Sequence, residues 1–303
     1  MSLADGEPAL AFARRVGQWY ASLTPLVRHD SGHVRNASGS DRRASDAAGH
    51  PFDPGRQASD IAADAESEPS LGGQLLYAGT LDEPGRALVV AANIAGAASL
   101  AATADAAAQK QAVRDGIVDF LVNSLDEALR ILKNEIRKRG TVAVCAALPP
   151  EAVETEMHER GVEPDLVRSG TFPGLFPGTP NELESASFGR LEIVPAASDA
   201  DQVLLAWRVG SASAVWLPKL DALADECLTT SDASAKRWLR LAPRYFGRLT
   251  AGAHVLPCDP ALADRFIGLV QAAIGRAEIT VPVEIDLVSG SSHAHHRFEP
   301  PGV

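Results

Sequence analysis

Cysteine is scarce in this sequence, with three residues in a chain of 303, and they lie far apart at positions 145, 227 and 258. None belongs to a Cys-x-x-Cys pair, so the sequence predicts neither a disulfide framework nor a zinc ribbon. A secretory signal is also lacking at the N-terminus. Both absences favour a reducing compartment, and we expect a cytoplasmic protein.

Long apolar runs are lacking too, and the basic clusters are short. The longest apolar stretch, from Ala87 to Ala104, consists mainly of alanine and is interrupted by Asn93, Gly96 and Ser99. A membrane span is normally richer in leucine, isoleucine, valine and phenylalanine, so we expect no membrane insertion. The net charge of −11 opposes binding to phosphate backbones, which excludes nucleic acid as a main partner.

The familiar catalytic motifs are also missing. The chain contains no P-loop, no Gly-x-Ser-x-Gly elbow, no His-Glu-x-x-His motif and no complete Gly-x-Gly-x-x-Gly turn. The sequence therefore assigns no catalytic residue, and any functional hypothesis depends on the fold and on family resemblance.

What is present is an alternation of strand and helix patterns between residues 86 and 168. Short apolar runs predict buried parallel strands, and capping residues mark the helices between them. Ser124 and Glu127 form a capping box, and Gly140 and Gly161 stand where helices should end. The predicted strands are 86–92, 117–122, 141–145 and 165–167, with helices at about 93–114, 124–139 and 149–160. This order predicts an α/β fold with an open parallel, Rossmann-like sheet and flanking helices.

The flanking segments divide the chain into three parts. Residues 1–70 comprise a helix at 7–28 and a polar segment at 29–70, which should be mobile unless a partner or a site holds it. Residues 71–170 hold the Rossmann-like core. Residues 171–303 begin with most of a Pro/Gly-rich loop at 170–182 and should form an α/β region that packs on the core. Its predicted elements are strands at 190–194, 203–209 and 278–288, the last an edge strand because of Pro282, and helices at 218–228, 232–243 and 260–274.

Ligands of open parallel sheets bind beyond the carboxyl ends of the strands. In the predicted sheet those ends carry Asn93, Asn123, Arg168 and Ser169, whose polar groups could contact a small molecule or a nucleotide. Gly96 lies with Asn93 where such a fold places its phosphate-binding turn, between a strand and a helix. A structural explanation stands beside each assignment, because Asn and Ser supply turns and caps, and small residues let a helix pack closely on a sheet.

Three histidines cluster near the C-terminus, at positions 293, 295 and 296. A His-x-His-His group can bind a metal, but it needs a further ligand and a fixed geometry. The flanking Ser, Gly and Pro residues favour a solvated tail, so no metal site is predicted. Cys145 lies in an apolar strand and should be an inert core thiol, whereas Cys258 should be more accessible.

Four stretches of the core carry motifs in a recognisable order: GIVD at 116–119, SLDEAL at 124–129, GTVAV at 140–144 and MHERGVEPDLV at 157–167. They resemble the Rossmann-like central domain of urocanase (urocanate hydratase), in which a Leu-Asp-Glu-Ala-Leu helix, a strand, a helix ending in Arg-Gly-Val-x-Pro-Asp and a short strand recur in this order. Residues 85–89 and 100–103 are similar to the family's approach to its NAD-binding turn, and 236–242 is a more distant match to a His-Arg-Trp-Leu-x-x-Ala segment. The resemblance implies an NAD-binding domain related to a hydro-lyase.

The chain departs from the family at the motifs that carry its chemistry. The family's Gly-x-Gly-Gly-Met-Gly-Gly turn is replaced by Asn93–Ser99, and its Asp-Gln-Thr-Ser-Ala-His-Asp-Pro run by Arg168–Pro173. The sequence has no counterpart of the family's Phe-Cys-x-Gly-x-Gly-Pro-Phe-Arg-Trp segment. Urocanase chemistry needs NAD held as an electrophile against an imidazole ring and placed proton-transfer groups, so these departures oppose hydration of urocanate.

Three functional hypotheses follow from the sequence. The first is a urocanase-like protein without catalysis that binds a small molecule or a nucleotide at the strand ends. The second is an active, divergent NAD-dependent hydro-lyase of histidine or related amino-acid catabolism. The third is a protein-interaction module in which residues 29–70 wrap a partner or a second subunit. The ligand, NAD binding and homo-oligomerisation are left open at this point.

Overall fold

The structure is a computed structural model that describes residues 7–27, 70–171, 191–197, 202–247, 249–250, 252–290 and 292–300. Of the polar segment at 29–70, only Ser70 belongs to the described residues, and most of the loop at 170–182 also lies outside them. The hypothesis that residues 29–70 wrap a partner therefore stays a prediction.

Helices and strands alternate through the described residues. The helices are α1 (Glu7–Leu23), α2 (Glu83–Ala95), α3 (Ala106–Arg114), α4 (Leu125–Arg137), α5 (Pro150–Glu159), α6 (Ser213–Glu226), α7 (Ala233–Phe246) and α8 (Pro260–Gly275). The strands are β1 (Leu75–Thr80), β2 (Ala98–Ala102), β3 (Phe120–Val122), β4 (Val142–Ala146), β5 (Leu166–Arg168), β6 (Leu191–Ile193), β7 (Val203–Val209), β8 (His254–Cys258), β9 (Val283–Ser289) and β10 (Ser292–Phe298). One 3-10 turn (Thr24–Leu26) follows α1.

The first six strands form one parallel sheet in the order β3-β4-β2-β1-β5-β6. Apolar side chains of β1, β2 and β4 point alternately to the two faces, so that both faces are buried. Helices α4 and α5 cover one face, and α2 covers the other. The predicted α/β fold with an open parallel sheet is confirmed.

The first strand–helix unit lies elsewhere than the sequence predicted. Residues 86–92, predicted as a strand, belong to α2, and the helix predicted from about residue 93 gives way to β2. Helix α2 is buried along Ala87–Ala95 because the sheet, α1 and α7 surround it. A helix without an exposed side shows no apolar periodicity, so a short part of it resembles a buried strand. The strand that precedes it, β1, was not predicted.

Helix α4 shows which capping predictions were correct. Ser124 Oγ accepts a hydrogen bond from the N–H of Glu127 at 3.3 Å, and Glu127 Oε2 accepts one from the N–H of Asn123 at 3.0 Å. The predicted capping box at Ser124 is therefore confirmed, with the return bond one residue earlier than in the usual motif. At the other end, the left-handed residue is Arg139 (φ 57°) rather than Gly140, whose N–H instead donates to the Glu135 carbonyl at 2.8 Å.

A second, antiparallel sheet is formed by β10-β9-β7-β8. The last predicted strand is present as β9, but it is not at an edge: Pro282 precedes it, and β9 lies between β10 and β7. The histidine-rich segment predicted as a solvated tail is the edge strand β10. Pairing with β9 supplies the order that its polar composition does not suggest.

The two sheets share one layer of helices. Gly17 of α1 lies against Pro257 of β8, and Trp238 of α7 donates to the Val255 carbonyl at 2.6 Å. Helices α1 and α7 also contact α2. On the far face of the second sheet, Trp207 packs against Phe266 of α8, with ring centroids 5.1 Å apart. Within the described part of the chain, no helix combines the length and hydropathy that a membrane crossing requires.

Candidate functional site

The connections of the parallel sheet reverse direction between β1 and β5. From β1 the chain proceeds to β2 on one side, whereas from β5 it proceeds to β6 on the other. The two strands are hydrogen-bonded neighbours, with Leu76 paired to Leu166 and Tyr77 to Val167. In open α/β sheets, the crevice beyond the carboxyl ends of two such strands is the usual place for a ligand. This position is the candidate site.

An ion pair joins the two strand ends. Arg168, the last residue of β5, donates from Nη1 to Asp82 Oδ1 at 2.6 Å and lies 3.4 Å from the carbonyl oxygen of Thr80. Asp82 is also the N-cap of α2, and its Oδ1 accepts from the N–H of Gly85 at 2.8 Å. The Arg168 side chain is 16% exposed and that of Asp82 is 46% exposed, so the pair is open to solvent on the Asp82 side.

Gly85 allows this close arrangement. A Cβ atom at this position would collide with the carbonyl oxygen of Thr80 and stand 3.0 Å from Arg168 Nη1. The first turn of α2 therefore lies directly against the end of β1, with the guanidinium beside it.

A buried polar pair lies behind the ion pair. Tyr77 of β1 donates from its hydroxyl to Glu154 Oε1 of α5 at 3.2 Å, and both residues are buried. Burial and the charge of Glu154 raise the pKa of Tyr77 above its ordinary value, while the positive charge of Arg168 acts in the opposite direction. Tyr77 is thus a neutral hydroxyl donor close to the candidate site.

Carboxylates surround the carboxyl edge of the sheet. Each of the four described helices that begin there carries one at its N-cap or in its first turn: Asp82 and Glu83 on α2, Asp105 on α3, Asp126 and Glu127 on α4, and Glu151 on α5. They stabilise the helices through capping and through the helix dipole. They also make this edge an unfavourable place for a dianionic pyrophosphate.

The residues do not fit the NAD site that a Rossmann-like domain implies. A dinucleotide phosphate needs free amide groups at the start of the helix that follows a strand. At α2 the amide of Gly85 is taken by Asp82, and at α3 the amide of Ala107 is taken by Asp105 at 2.8 Å. At both helix starts, a carboxylate of the chain already accepts from an amide that a phosphate would use.

Of the residues predicted for the site, Arg168 and Ser169 lie at the β5 end of the crevice, as predicted. Asn123 also follows a strand, but β3 is at the edge of the sheet, four strand positions from β5. At an inter-strand spacing of about 4.8 Å, this separates Asn123 from Arg168 by roughly 19 Å. The structure does not bring Asn123 and Arg168 together.

The predicted placement of Asn93 and Gly96 is wrong. Asn93 lies in the last turn of α2, is 2% exposed, and donates from Nδ2 to the Ile117 carbonyl at 3.3 Å. Gly96 ends the helix in a left-handed conformation (φ 96°) before β2 begins. Both residues stand at the opposite end of the sheet from the crevice, because the segment leads from a helix into a strand. The phosphate-binding turn predicted at Asn93–Ser99 is absent, and the alternative of close packing is the one that fits.

Sequence reasoning missed Asp82, Tyr77 and Glu154. A signal for Asp82 existed: an aspartate followed by Glu83 and Pro84 is typical of a helix start. No local pattern marks Tyr77 or Glu154, which meet only because α5 packs on the sheet.

Of the two cysteine predictions, the one for Cys145 agrees with the structure and the one for Cys258 does not. Cys145 is fully buried in β4, as predicted, and burial raises its pKa to about 11. Cys258, predicted to be more accessible, is 8% exposed, and burial raises its pKa to about 12. The accessibility prediction for Cys258 was wrong because β8 is covered on both faces.

Comparison with known protein families agrees with this topology. Residues 59–172 match the family model described as the urocanase Rossmann-like domain. The matched stretch contains β1 to β5 with their helices, and therefore Asp82, Tyr77, Glu154 and Arg168. Over residues 59–172, less than half of the chain, the sequence is therefore similar to the Rossmann-like domain of urocanase.

Proposed function

We propose that this chain is a non-catalytic, urocanase-like protein that binds a small carboxylate at the carboxyl ends of β1 and β5 and does not hold NAD there. The contact that carries the proposal is the one between Asp82 and Arg168 at the point where the sheet connections reverse. This contact puts the Asp82 carboxylate at the start of α2, which opposes a dinucleotide phosphate there, and holds one guanidinium beside it.

The argument against NAD is electrostatic. A phosphate bound at the start of α2 would displace the Asp82 carboxylate from Gly85 and Arg168. The two negative charges would then lie side by side. The glycine-rich turn that would offer further amides is missing from the sequence. Without NAD as the electrophile, the hydration chemistry of the family has no means to proceed.

The argument for a small carboxylate rests on Arg168. Arg168 already presents Nη1 and Nη2 to Asp82, at 2.6 and 3.4 Å, so a ligand carboxylate would accept from the remaining N–H groups of the guanidinium. Such charge-assisted bonds are about twice as strong as neutral ones. Arg168 is held in place by Asp82 and by the Thr80 carbonyl, which lowers the conformational entropy lost on binding. Ser169, exposed beside it, adds a hydroxyl.

The first test is whether NAD accompanies the protein. We expect mass spectrometry of the denatured, purified chain to show no NAD, and titration with NAD⁺ to give no saturable signal. NAD present at one equivalent per chain would overturn this part and favour the divergent hydro-lyase.

The second test concerns the ligand. A panel of amino-acid and imidazole carboxylates, urocanate among them, is titrated while amide shifts are followed by NMR. We expect saturable shifts at β1, β5 and the start of α2, and a loss of about tenfold in affinity in Arg168→Gln, the equivalent of 1.4 kcal/mol. Arg160→Gln is the matched control, because Arg160 pairs with Asp126 and Glu156 on an exposed surface. Equal affinity in wild type and Arg168→Gln would remove Arg168 from the site.

A further inference from the structure

The edge strand β3 of the parallel sheet presents apolar side chains to solvent. Phe120 and Leu121 are 48% and 42% exposed, and they point to opposite faces of the sheet because side chains alternate along a strand. Val113 of α3, a helix that contacts β3, is 45% exposed. Half of the six large apolar side chains that are exposed in the described part of the chain thus lie on β3 and the helix before it, so exposed apolar surface is concentrated at this edge.

The other edge strands carry protection that β3 lacks. An edge strand has unpaired N–H and C=O groups that can pair with another chain, and proteins commonly block such pairing with charged residues or proline. In the two described sheets, the other edges are β6 with Glu192, β8 with Pro257 and β10 with Arg297. Strand β3 is Phe-Leu-Val, three residues that favour extended backbone, with no charge and no proline. Its composition therefore suits a strand that pairs on both sides.

The sequence around Leu121 is complementary to a second copy of itself. In an antiparallel pair that sets Leu121 opposite Leu121 of the second copy, Phe120 faces Val122, and Asp119 faces Asn123. Each apolar side chain of β3 then meets an apolar one, and each charged residue meets a neutral one. The strand thus has the self-complementary pattern that a symmetric dimer requires.

This register is favoured over its neighbours. A shift of one residue would exchange the two faces of the strand, and a shift of two would set Asp119 or Asn123 against Leu121. The Asp119 carboxylate is turned toward β4, where Oδ2 accepts from the N–H of Ala143 at 2.8 Å. Its charge is therefore engaged within its own chain and does not oppose a strand on the other side of β3.

We propose that two copies of this chain associate through β3, with the two strands antiparallel about a twofold axis at Leu121. The six-stranded sheets of both copies then join into one continuous sheet. On one face, Phe120 lies beside a groove lined by Ile131 and Val142 of its own chain, and Val122 of the second copy packs there against Phe120. Because β3 is only three residues long, the interface is small, and the dimer dissociates on dilution.

The simpler explanation is that the shortness of β3 by itself prevents pairing, as short edge strands do in other proteins. This explanation and the proposal differ in a measurable respect. A protected edge leaves the chain monomeric at every concentration, and substitution of Leu121 then has no effect on the mass of the particle.

The experiment is sedimentation of the full chain over a concentration series up to about 1 mM. We expect wild type to change from monomer to dimer, and Leu121→Lys and Leu121→Glu each to dimerise at least about tenfold more weakly, because two like charges would face each other on the axis. An equimolar mixture of the two variants should recover the dimer, since lysine then faces glutamate. The matched control is Val215→Lys on α6, where an equally exposed valine (55%) lies away from β3, and it should dimerise like wild type.

A measurement on the wild type guards against variants that do not fold. Hydrogen exchange at low and high protein concentration should show that the amides of β3 become more protected on concentration, while those of the edge strand β10 do not. A wild type that stays monomeric up to about 1 mM, Leu121→Lys that dimerises as well as Val215→Lys, or a mixture that does not recover the dimer would overturn the proposal.

Discussion

Arg237 of α7 donates from Nε to the carbonyl oxygen of Ile94, at 2.7 Å, in the last turn of α2. The final carbonyls of a helix have no partner within the helix, and a cation near them interacts favourably with the helix dipole. The contact therefore gives a carbonyl in the last turn of α2 a partner and connects the helix to the C-terminal region of the chain.

Replacing Arg237 by glutamine should lower the free energy of unfolding by about 1.5–3 kcal/mol, because a hydrogen bond from a charged donor is lost. Urea unfolding followed by circular dichroism measures the change. Lys133→Gln, on the exposed surface of α4, is the control and should stay within about 0.5 kcal/mol of wild type. A loss no larger than that of the control would show that the contact contributes nothing to stability.

Gly96→Ala should be more harmful than the same change at Gly116. Both glycines have positive φ, 96° and 71°, so alanine pays a similar backbone penalty of about 1–2 kcal/mol at either position. At Gly96 the added Cβ would also stand 2.7 Å from Arg237 Nη2, whereas at Gly116 nothing lies within 4 Å. We expect the Gly96 variant to unfold at a lower urea concentration than the Gly116 variant. Equal midpoints would mean that Arg237 moves aside without loss.

The parts of the fold that the sequence predicts correctly are those with local signals. These local signals are Ser124 with Glu127, the proline pair at the start of α5, and Gly161 after that helix. The helices whose ends they mark are predicted correctly to within a few positions. The prediction was wrong at α2, because burial on all sides removes the apolar periodicity that identifies a helix. Strand β10 was missed because its polar residues are ordered only by pairing with β9.

In the candidate site, too, a local rule predicts some residues, and others depend on the order of the strands. Arg168 was found because the strand-end rule needs only the position of β5. Its partner Asp82 is 86 residues away, and their contact depends on β1 and β5 being neighbours in the sheet. The same rule selects Asn123, which lies at the far edge of the sheet. No local sequence pattern reveals the order of the strands, so this separation could not be predicted.

Tyr77→Phe should destabilise the protein in a pH-dependent way. At pH 8 the loss of the hydroxyl bond to buried Glu154 should cost about 1.5–3 kcal/mol. The pKa of Tyr77 is raised in the folded chain, so the stability that its hydroxyl contributes is present below the unfolded pKa of about 10 and declines as the pH rises above it.

Urea midpoints of wild type and Tyr77→Phe at pH 8 and pH 10.5 measure this effect. The difference between the two proteins should narrow at the higher pH. A difference that stays constant would contradict the assignment of a raised pKa to Tyr77 and would leave only the loss of the hydrogen bond.

The three thiols should be almost unreactive in the folded protein. Cys145, Cys227 and Cys258 are buried, and desolvation raises the pKa of Cys258 to about 12. Because the thiolate is the nucleophile, Cys258 at pH 8 should react on the order of a thousandfold more slowly than an unperturbed cysteine with a pKa of about 8.5. Labelling with a chromogenic disulfide before and after addition of urea, with intact-mass counting, measures this. Cys258→Ser identifies its share of the label. If Cys258 were labelled as fast in the native protein as in urea, β8 would open readily, and the accessibility expected from its sequence context would be the better description.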